Sequence, residues 1–361
     1  MSSALKDMFD AALYRALASE LSTLSPAFDS DAFLSHTLTG LSSRELMPRM
    51  RRTSTGVAQA LPLPYREQLA VLRALAPRIS SGFVSIFLSD FVAQHGLDDP
   101  DVSLEALRFF TRFGSSEFAI RPFIERDQAR TLAVLLSWSR SDDEHIRRLA
   151  SEGSRPRLPW GTRLQSLVTD PSPTFPILET LRADPSLYVR KSVANHLNDI
   201  AKDHPEVALD LVSTWDRSVL HTAWIIRHAL RTLIKRGHPR ALSLIGAGTA
   251  AKLDVVRFQS SPRKLILGDT LTLTTTLTSR AAKSQRLVVD YVLHYARAGK
   301  VSAKVFKWKT LDLLPRETLT LTKRQVIRDF STRRHHAGRH KIELQINGRR
   351  LAEAAFTLSC P

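Results

Sequence analysis

Residues 142–160, DDEHIRRLASEGSRPRLPW, with 184–205, DPSLYVRKSVANHLNDIAKDHP, and 222–239, TAWIIRHALRTLIKRGHP, decide how the rest of the chain is read. An apolar residue followed by arginine recurs at Ile146-Arg147, Val189-Arg190 and Ile226-Arg227, in steps of 43 and 37 residues. Those steps bracket the period of about 40 to 47 residues found in two-helix HEAT repeats. At roughly 100° per residue, Val189, Val193, Ala194, Leu197, Ile200 and Ala201 form one apolar stripe, and Lys191, Asn195, Asn198, Asp199 and Lys202 gather opposite it. This pattern predicts a helix that packs its back on its neighbours and turns a polar front to a concave, solvated surface.

Upstream, Leu5, Met8, Phe9, Leu13, Leu17 and Leu21 recur at steps of three and four and predict one amphipathic helix over residues 1–24. Helical spacing continues to about residue 250, with prolines falling near helix starts. Past residue 253 the period changes to two, in runs rich in Thr, Val and Leu such as KLILGDTLTLTTTLTSR, and about seven strands are expected. The predicted fold is therefore multidomain. An all-α HEAT-like solenoid over 1–250 is followed by an all-β immunoglobulin-like sandwich over 254–361, with the junction in GAGTAAKLD at Gly246 and Gly248.

The 361 residues carry 52 Lys plus Arg against 35 Asp plus Glu, a net charge of +17. A field of that sign and size favours a polyanionic partner, and nucleic acid is the first candidate. The single cysteine, Cys360, permits neither an internal disulfide nor a Cys/His zinc framework, which fits a reducing cytoplasm. Asp7, Asp10 and Glu20 interrupt the N-terminal apolar residues, so no signal peptide is expected. His335, His336 and His340 lie among Arg333, Arg334, Arg339 and Lys341, which predicts a solvated basic loop rather than a metal-ligand set. No cofactor is expected.

Candidate phosphate-backbone contacts are Arg148, Arg155, Arg157, Arg163, Arg190, Lys191, Arg227, Arg231 and Lys235, with Arg333, Arg334 and Arg339 in the β segment. Against this cationic background stand Glu117, Glu152 and Asp199, which would repel DNA unless neutralised by arginines or used. Trp160, held between Pro159 and Gly161, is the least core-like of the tryptophans. Composition and periodicity alone leave open a non-catalytic nucleic-acid scaffold or a protein-interaction solenoid.

SSEFAIRPFI (115–124), RRLASEGSRPRLPW (147–160), DPSLYVRKSVANHLNDIAKDHP (184–205) and WIIRHALRTLIKRG (224–237) together resemble the AlkC family of bacterial DNA glycosylases, relatives of AlkD. The resemblance covers roughly residues 1–250, and the all-β segment resembles the branch with a C-terminal immunoglobulin-like domain. It implies a cytoplasmic, nucleoid-associated monomer that grips duplex DNA and removes cationic alkylated bases, chiefly 3-methyladenine and 3-methylcytosine, without conventional base flipping. Neither a metal nor an organic cofactor is implied. Carried over residue by residue, it makes Glu117, Glu152, Trp160 and Asp199 the catalytic candidates, with Glu117 and Asp199 at the sugar or its water and Trp160 against the deoxyribose or cationic base. The resemblance implies Asn195 as a further phosphate-backbone contact.

Overall fold

The computed structural model describes residues 5–248, 250–297, 300–330 and 334–360. Its helices are α1 (Ala11–Leu24), α2 (Ser30–Leu38), α3 (Leu46–Ala60), α4 (Tyr65–Leu75), α5 (Ile86–His95), α6 (Pro100–Phe110), α7 (Arg121–Arg126), α8 (Gln128–Trp138), α9 (Glu144–Gly153), α10 (Gln165–Thr169), α11 (Phe175–Thr180), α12 (Leu187–Asp203), α13 (Pro205–Ser213), α14 (Leu220–Ala229), α15 (Arg231–Lys235) and α16 (Pro239–Leu244). The strands are β1 (Leu253–Ser261), β2 (Lys264–Ile266), β3 (Thr270–Ser279), β4 (Gln285–Arg297), β5 (Lys300–Leu313), β6 (Thr318–Val326), β7 (Gly338–Ile346) and β8 (Arg349–Ser359). The chain divides into two compact units, Met1–Asp203 with Trp215–Ile225 and His204–Thr214 with Ile226–Pro361. Among the described residues no helix is long and apolar enough to cross a membrane.

In the first unit the helices pack by their apolar stripes. Ile146 and Leu149 of α9 and Val189, Val193 and Leu197 of α12 are buried, and α9 packs on α12. The recurring arginines fasten the repeats. Arg147 donates from Nη1 to the carbonyls of Ser141 and Asp142, 2.9 and 2.8 Å away, and Arg190 donates from Nη1 to those of Asp184 and Pro185, 2.9 and 2.7 Å away. Each therefore reaches back to the loop that starts its own helix. Arg147 also binds Asp184 from Nε at 2.7 Å, tying one repeat to the next, as Arg112 does to Asp143 at 3.0 Å.

Two expectations for this unit need correcting. The N-terminal segment is not one helix. Leu5–Met8 forms a 3-10 turn with Leu5 and Met8 exposed, and α1 starts only at Ala11, because Asp10 is extended (φ −107°) and its Oδ1 caps the Leu13 amide at 2.8 Å. The polar side of α12 is also not solvated throughout, since Asn198 and Asp199 are buried along with His196.

In the second unit one sheet runs β1-β3-β6 and the other β2-β8-β7-β4-β5, antiparallel except for the β2–β8 pair. The eighth strand, against about seven expected, is the three-residue β2, too short to register as an alternating run. Inward residues of both sheets meet in two buried clusters, one that includes Leu273, Tyr291, Leu293, Ile342 and Phe356 and one that includes Leu277, Leu287, Val289 and Leu344. The end of α15 is joined to the same unit, as Gln345 Nε2 donates to the Lys235 carbonyl at 2.9 Å. Gly237 and Gly348 touch there with positive φ, and a Cβ on Gly348 would lie 2.0 Å from the Gly237 Cα.

The histidine segment is a solvated loop only in part: Arg334, His336 and Arg339 are exposed, but two of the histidines turn inward. His340 is fully buried on β7 and stacks on Phe356, and buried His335 contacts Asp329 through both its main-chain amide and its ring.

Asp290 on β4 is 1% exposed, and burial pushes its carboxyl up to about 6 despite Lys235 and Lys307. Its folded value lies above its unfolded value, so its contribution to stability is fully present below pH 3.8 and is lost as the pH rises through about 6. Asp290→Asn should therefore stabilise this unit at pH 8 by about 1–3 kcal/mol and have little effect at pH 4. Urea midpoints of the two proteins at both pH values test this, and a gain independent of pH would exclude the buried carboxyl as its source.

Candidate active site

The first unit brings three carboxylates into one chain of alternating charge. Arg148 on α9 contacts Glu117 Oε2, and Ser115 ties the pair together by accepting from Arg148 at 2.6 Å and donating to Glu117 at 2.8 Å. Arg148 Nη2 lies 3.6 Å from Glu152 one helical turn further along, and Glu152 Oε1 accepts from Arg155 Nη1 at 2.5 Å. Arg155 then grips Asp199 Oδ2 through Nε at 2.8 Å and Nη2 at 2.7 Å, while Lys202 holds Oδ1 at 2.8 Å. The order is Glu117, Arg148, Glu152, Arg155, Asp199, Lys202, so Glu152 and Asp199 each lie between two cations and Glu117, at the end, meets Arg148.

Helical spacing and the α9–α12 contact produce this arrangement. Arg148 and Glu152 are four residues apart on one face of α9, and Asp199 and Lys202 are three apart on α12. His196, on the same helix and fully buried, hydrogen-bonds through Nδ1 to the Ser151 carbonyl at 2.9 Å and fixes the two helices beside each other. Burial, with Arg155 second, pushes that imidazole down to about 3, so it stays neutral at physiological pH. Its stabilising effect is complete above pH 6.5 and declines as the pH falls towards 3.

Exposure separates the three carboxylates. The Glu117 side chain retains 14% of its surface, Glu152 8% and Asp199 1%. Arg155, expected at a DNA phosphate, is buried between two carboxylates. Burial pulls its guanidinium down, but Glu152 and Asp199 outweigh that and hold it above its ordinary value.

Trp160 stands at the tip of the loop after α9, 70% exposed and left-handed at φ 67°, a conformation that costs a bulky residue energy. Beside it lies a cleft of about 180 Å³, lined by Met47, Met50, Arg51, Asp90, Ser115 and Phe118 among others, with Trp160 at its edge. Sequence reasoning did not find this cleft, because its walls come from α3, α5 and the Glu117 segment, far apart in the chain. It also passed over Tyr188, whose ring lies 5.1 Å from the Arg148 guanidinium carbon. The only signal was its place in the repeat, two residues before Arg190.

The other cationic candidates are more dispersed. Arg157 is paired with Asp203 at 2.6 and 2.7 Å, Arg163 and Lys191 are exposed, and Asn195 is half-buried. Arg190 is half-buried and lies 5.7 Å from the Trp224 ring, in addition to its carbonyl contacts. Arg227, Arg231 and Lys235 belong to the second unit, where they line a small cavity with Asp290 and Lys307. Arg334 and Arg339 are exposed in that unit, and Arg333 falls outside the described residues.

The family described as "DNA alkylation repair enzyme" matches residues 111–233, and "Uncharacterised protein YhaZ, C-terminal Ig-like domain" matches residues 254–360. YhaZ of Bacillus subtilis strain 168 is 40% identical over 95% of this chain and 96% of its own length. The Pseudomonas fluorescens alkylpurine DNA glycosylase AlkC, solved bound to DNA containing an abasic site analog, is 49% identical with a TM-score of 0.95, over 99% of this chain and all of that one. The chain belongs to the AlkC family of DNA alkylation repair enzymes. It is of the branch with a C-terminal immunoglobulin-like domain. Within this AlkC-family chain, residues 111–233 contain Glu117, Arg148, Glu152, Arg155, Trp160 and Asp199.

Proposed function

We propose that the protein is a DNA glycosylase that hydrolyses the N-glycosidic bond of cationic alkylated bases in duplex DNA, 3-methyladenine and 3-methylcytosine in particular, without rotating the base into an enclosing pocket. The observation that carries this reading is the carboxylate chain of Glu117, Glu152 and Asp199, whose Ser115 lines one cleft with an exposed, strained Trp160, in a protein with a net charge of +17. A glycosylase whose fold this chain shares was solved on abasic-analog DNA, which supports the same reaction class here.

The substrate's chemistry sets a modest demand. Methylation at N3 makes the base cationic, so the bonding pair of the C1′–N bond leaves with the base and neutralises it, and no general acid is required. The sugar becomes an oxocarbenium-like cation. Water attacks C1′, and its proton passes to a carboxylate or to solvent. Carboxylates fixed before the reaction lower the barrier by stabilising the developing positive charge without reorganising. Glu117, with the most open surface of the three, faces the sugar or its water in this reading. Asp199 sets the field through Arg155 or is uncovered when DNA draws Lys202 away. Trp160 offers its π-face to the cationic base or packs on the deoxyribose.

Incubating the purified protein with methylated duplex DNA and identifying the released bases tests the activity. Tight duplex binding with no released base would mean a non-catalytic DNA scaffold, and neither binding nor release would favour an acidic protein partner. The backbone contacts have a separate test. Arg190→Ala should flatten the salt dependence of duplex binding. Because Arg190 also holds two carbonyls, the substitution should cost about 1–3 kcal/mol of folding stability as well. Binding isotherms at several salt concentrations, paired with urea melts, separate the two effects. An unchanged salt slope would remove Arg190 from the backbone contacts.

A further inference from the structure

The loop that carries Trp160 is held from beneath by a residue that the mechanism above does not use. Arg121, at the start of α7, is 1% exposed and is the largest fully buried side chain among the described residues. Its guanidinium hydrogen bonds all go to main-chain carbonyls. Nη1 donates to Gly153 at 3.0 Å and to Arg155 at 2.8 Å, Nε donates to Thr162 at 2.8 Å, and Nη2 also donates to Thr162. Those acceptors lie on both sides of Trp160, so one planar group pins the root and the return of the loop.

Other contacts agree with a clamp. A Cβ on Gly161 would lie 3.4 Å from Arg121 Cδ and 3.2 Å from Leu158 Cδ2, so the arginine stem packs under the residue after the tryptophan. The loop closes with bonds from the Gly161 amide to the Leu158 carbonyl and from the Leu164 amide to the Pro156 carbonyl, both 3.2 Å. The indole is mostly in solvent and cannot anchor the loop itself. A left-handed tryptophan persists only when its surroundings over-determine it. Burial pushes the Arg121 guanidinium down to about 10, which leaves it charged at neutral pH.

We infer that Arg121 is the positioning residue for Trp160, its guanidinium fixing the loop carbonyls so that the indole is presented to the lesion. The inference rests on the glycosylase reading for the role of the indole, but the clamp can be tested without substrate. Arg121→Lys keeps the charge and loses the fork that spans three carbonyls. In the full-length protein, trypsin should then cut after Arg157 and Arg163, on either side of Trp160, at least about tenfold faster, with cutting after the exposed Arg182 unchanged. Single-turnover release from methylated duplex should fall about 10- to 100-fold, with affinity for abasic-analog DNA changing less than about threefold.

A double-mutant cycle distinguishes positioning from a general structural role. If Arg121 acts through Trp160, the double variant Arg121→Lys with Trp160→Ala releases base no more slowly than Trp160→Ala alone, whereas additive losses overturn the inference. Wild-type trypsin protection in Arg121→Lys also overturns it. Should that variant fail to fold, amide hydrogen exchange of the wild-type protein decides: Gly161 and Leu164 amides protected about as strongly as those of α9 agree with the clamp, and exchange as fast as in an open loop counts against it. A wild-type protein that releases no base refutes the glycosylase reading, and the trypsin comparison then decides the clamp alone.

Discussion

Glu117→Gln is expected to slow release of 3-methyladenine by about 10²–10³-fold, the scale on which removing one preorganised electrostatic partner acts, while duplex affinity holds or rises. Glutamine keeps the length and one carbonyl acceptor for Ser115 but removes the charge opposite Arg148. Glu117 keeps 14% of its side-chain surface and has only one cation within ion-pair distance among the described residues, so the substitution should cost little stability. Asp199→Asn is expected to lower activity as severely for a different reason. Asp199 is buried and receives bonds from Arg155 and Lys202, so the neutral amide leaves the buried Arg155 under-compensated and costs about 3 kcal/mol or more of stability. Single-turnover rates and urea melts on both variants separate the roles. Full activity in both would remove the carboxylates from the chemistry, and loss in Asp199→Asn alone would move the sugar-facing role to Asp199.

The sequence exposed the periodic part of this fold because periodicity is a local property. Steps near 40 residues locate the helical array, and the switch to a two-residue period locates the sheets whose cores hold Leu273, Tyr291 and Phe356. Capping and burial of polar groups were harder to see. Asp10 ends a pattern that apolar spacing alone would continue, and Asn198 and Asp199 look solvated on a helical wheel yet are buried because α9 supplies Ser151, Glu152 and Arg155 to meet α12.

The arginines show the same limit from the opposite side. Arg147, Arg155 and Arg190 read alike as cations in a basic stretch, yet Arg147 and Arg190 hold loop carbonyls and Arg155 bridges two carboxylates. Only the three-dimensional acceptors distinguish a phosphate contact from a structural clamp. The carboxylates were visible as charges out of place, and the structure adds that they are linked in one chain. The 180 Å³ cleft had no sequence signature, since its walls come from α3, α5 and the Glu117 segment, far apart in the chain.

Trp160→Gly should leave the protein as stable as wild type or more stable by about 1 kcal/mol while reducing base release by about 10- to 100-fold. The φ of 67° penalises tryptophan and is free for glycine, a gain partly offset by the greater freedom of glycine in the unfolded chain. Little burial is lost, because 70% of the residue is already in solvent. Trp160→Ala removes the same ring but keeps the backbone penalty, so it should match the glycine variant in activity and fall below it in stability. Neither substitution removes a charge, and the salt slope of duplex binding should stay at its wild-type value. Melting curves and single-turnover assays on the pair decide the point. An active glycine variant would mean that the strained indole has no part in the reaction. A glycine variant destabilised by more than about 2 kcal/mol would mean that the ring packs in solution more than its exposure indicates. Inactivity without destabilisation is what a residue kept for chemistry, at a cost to the fold, should show.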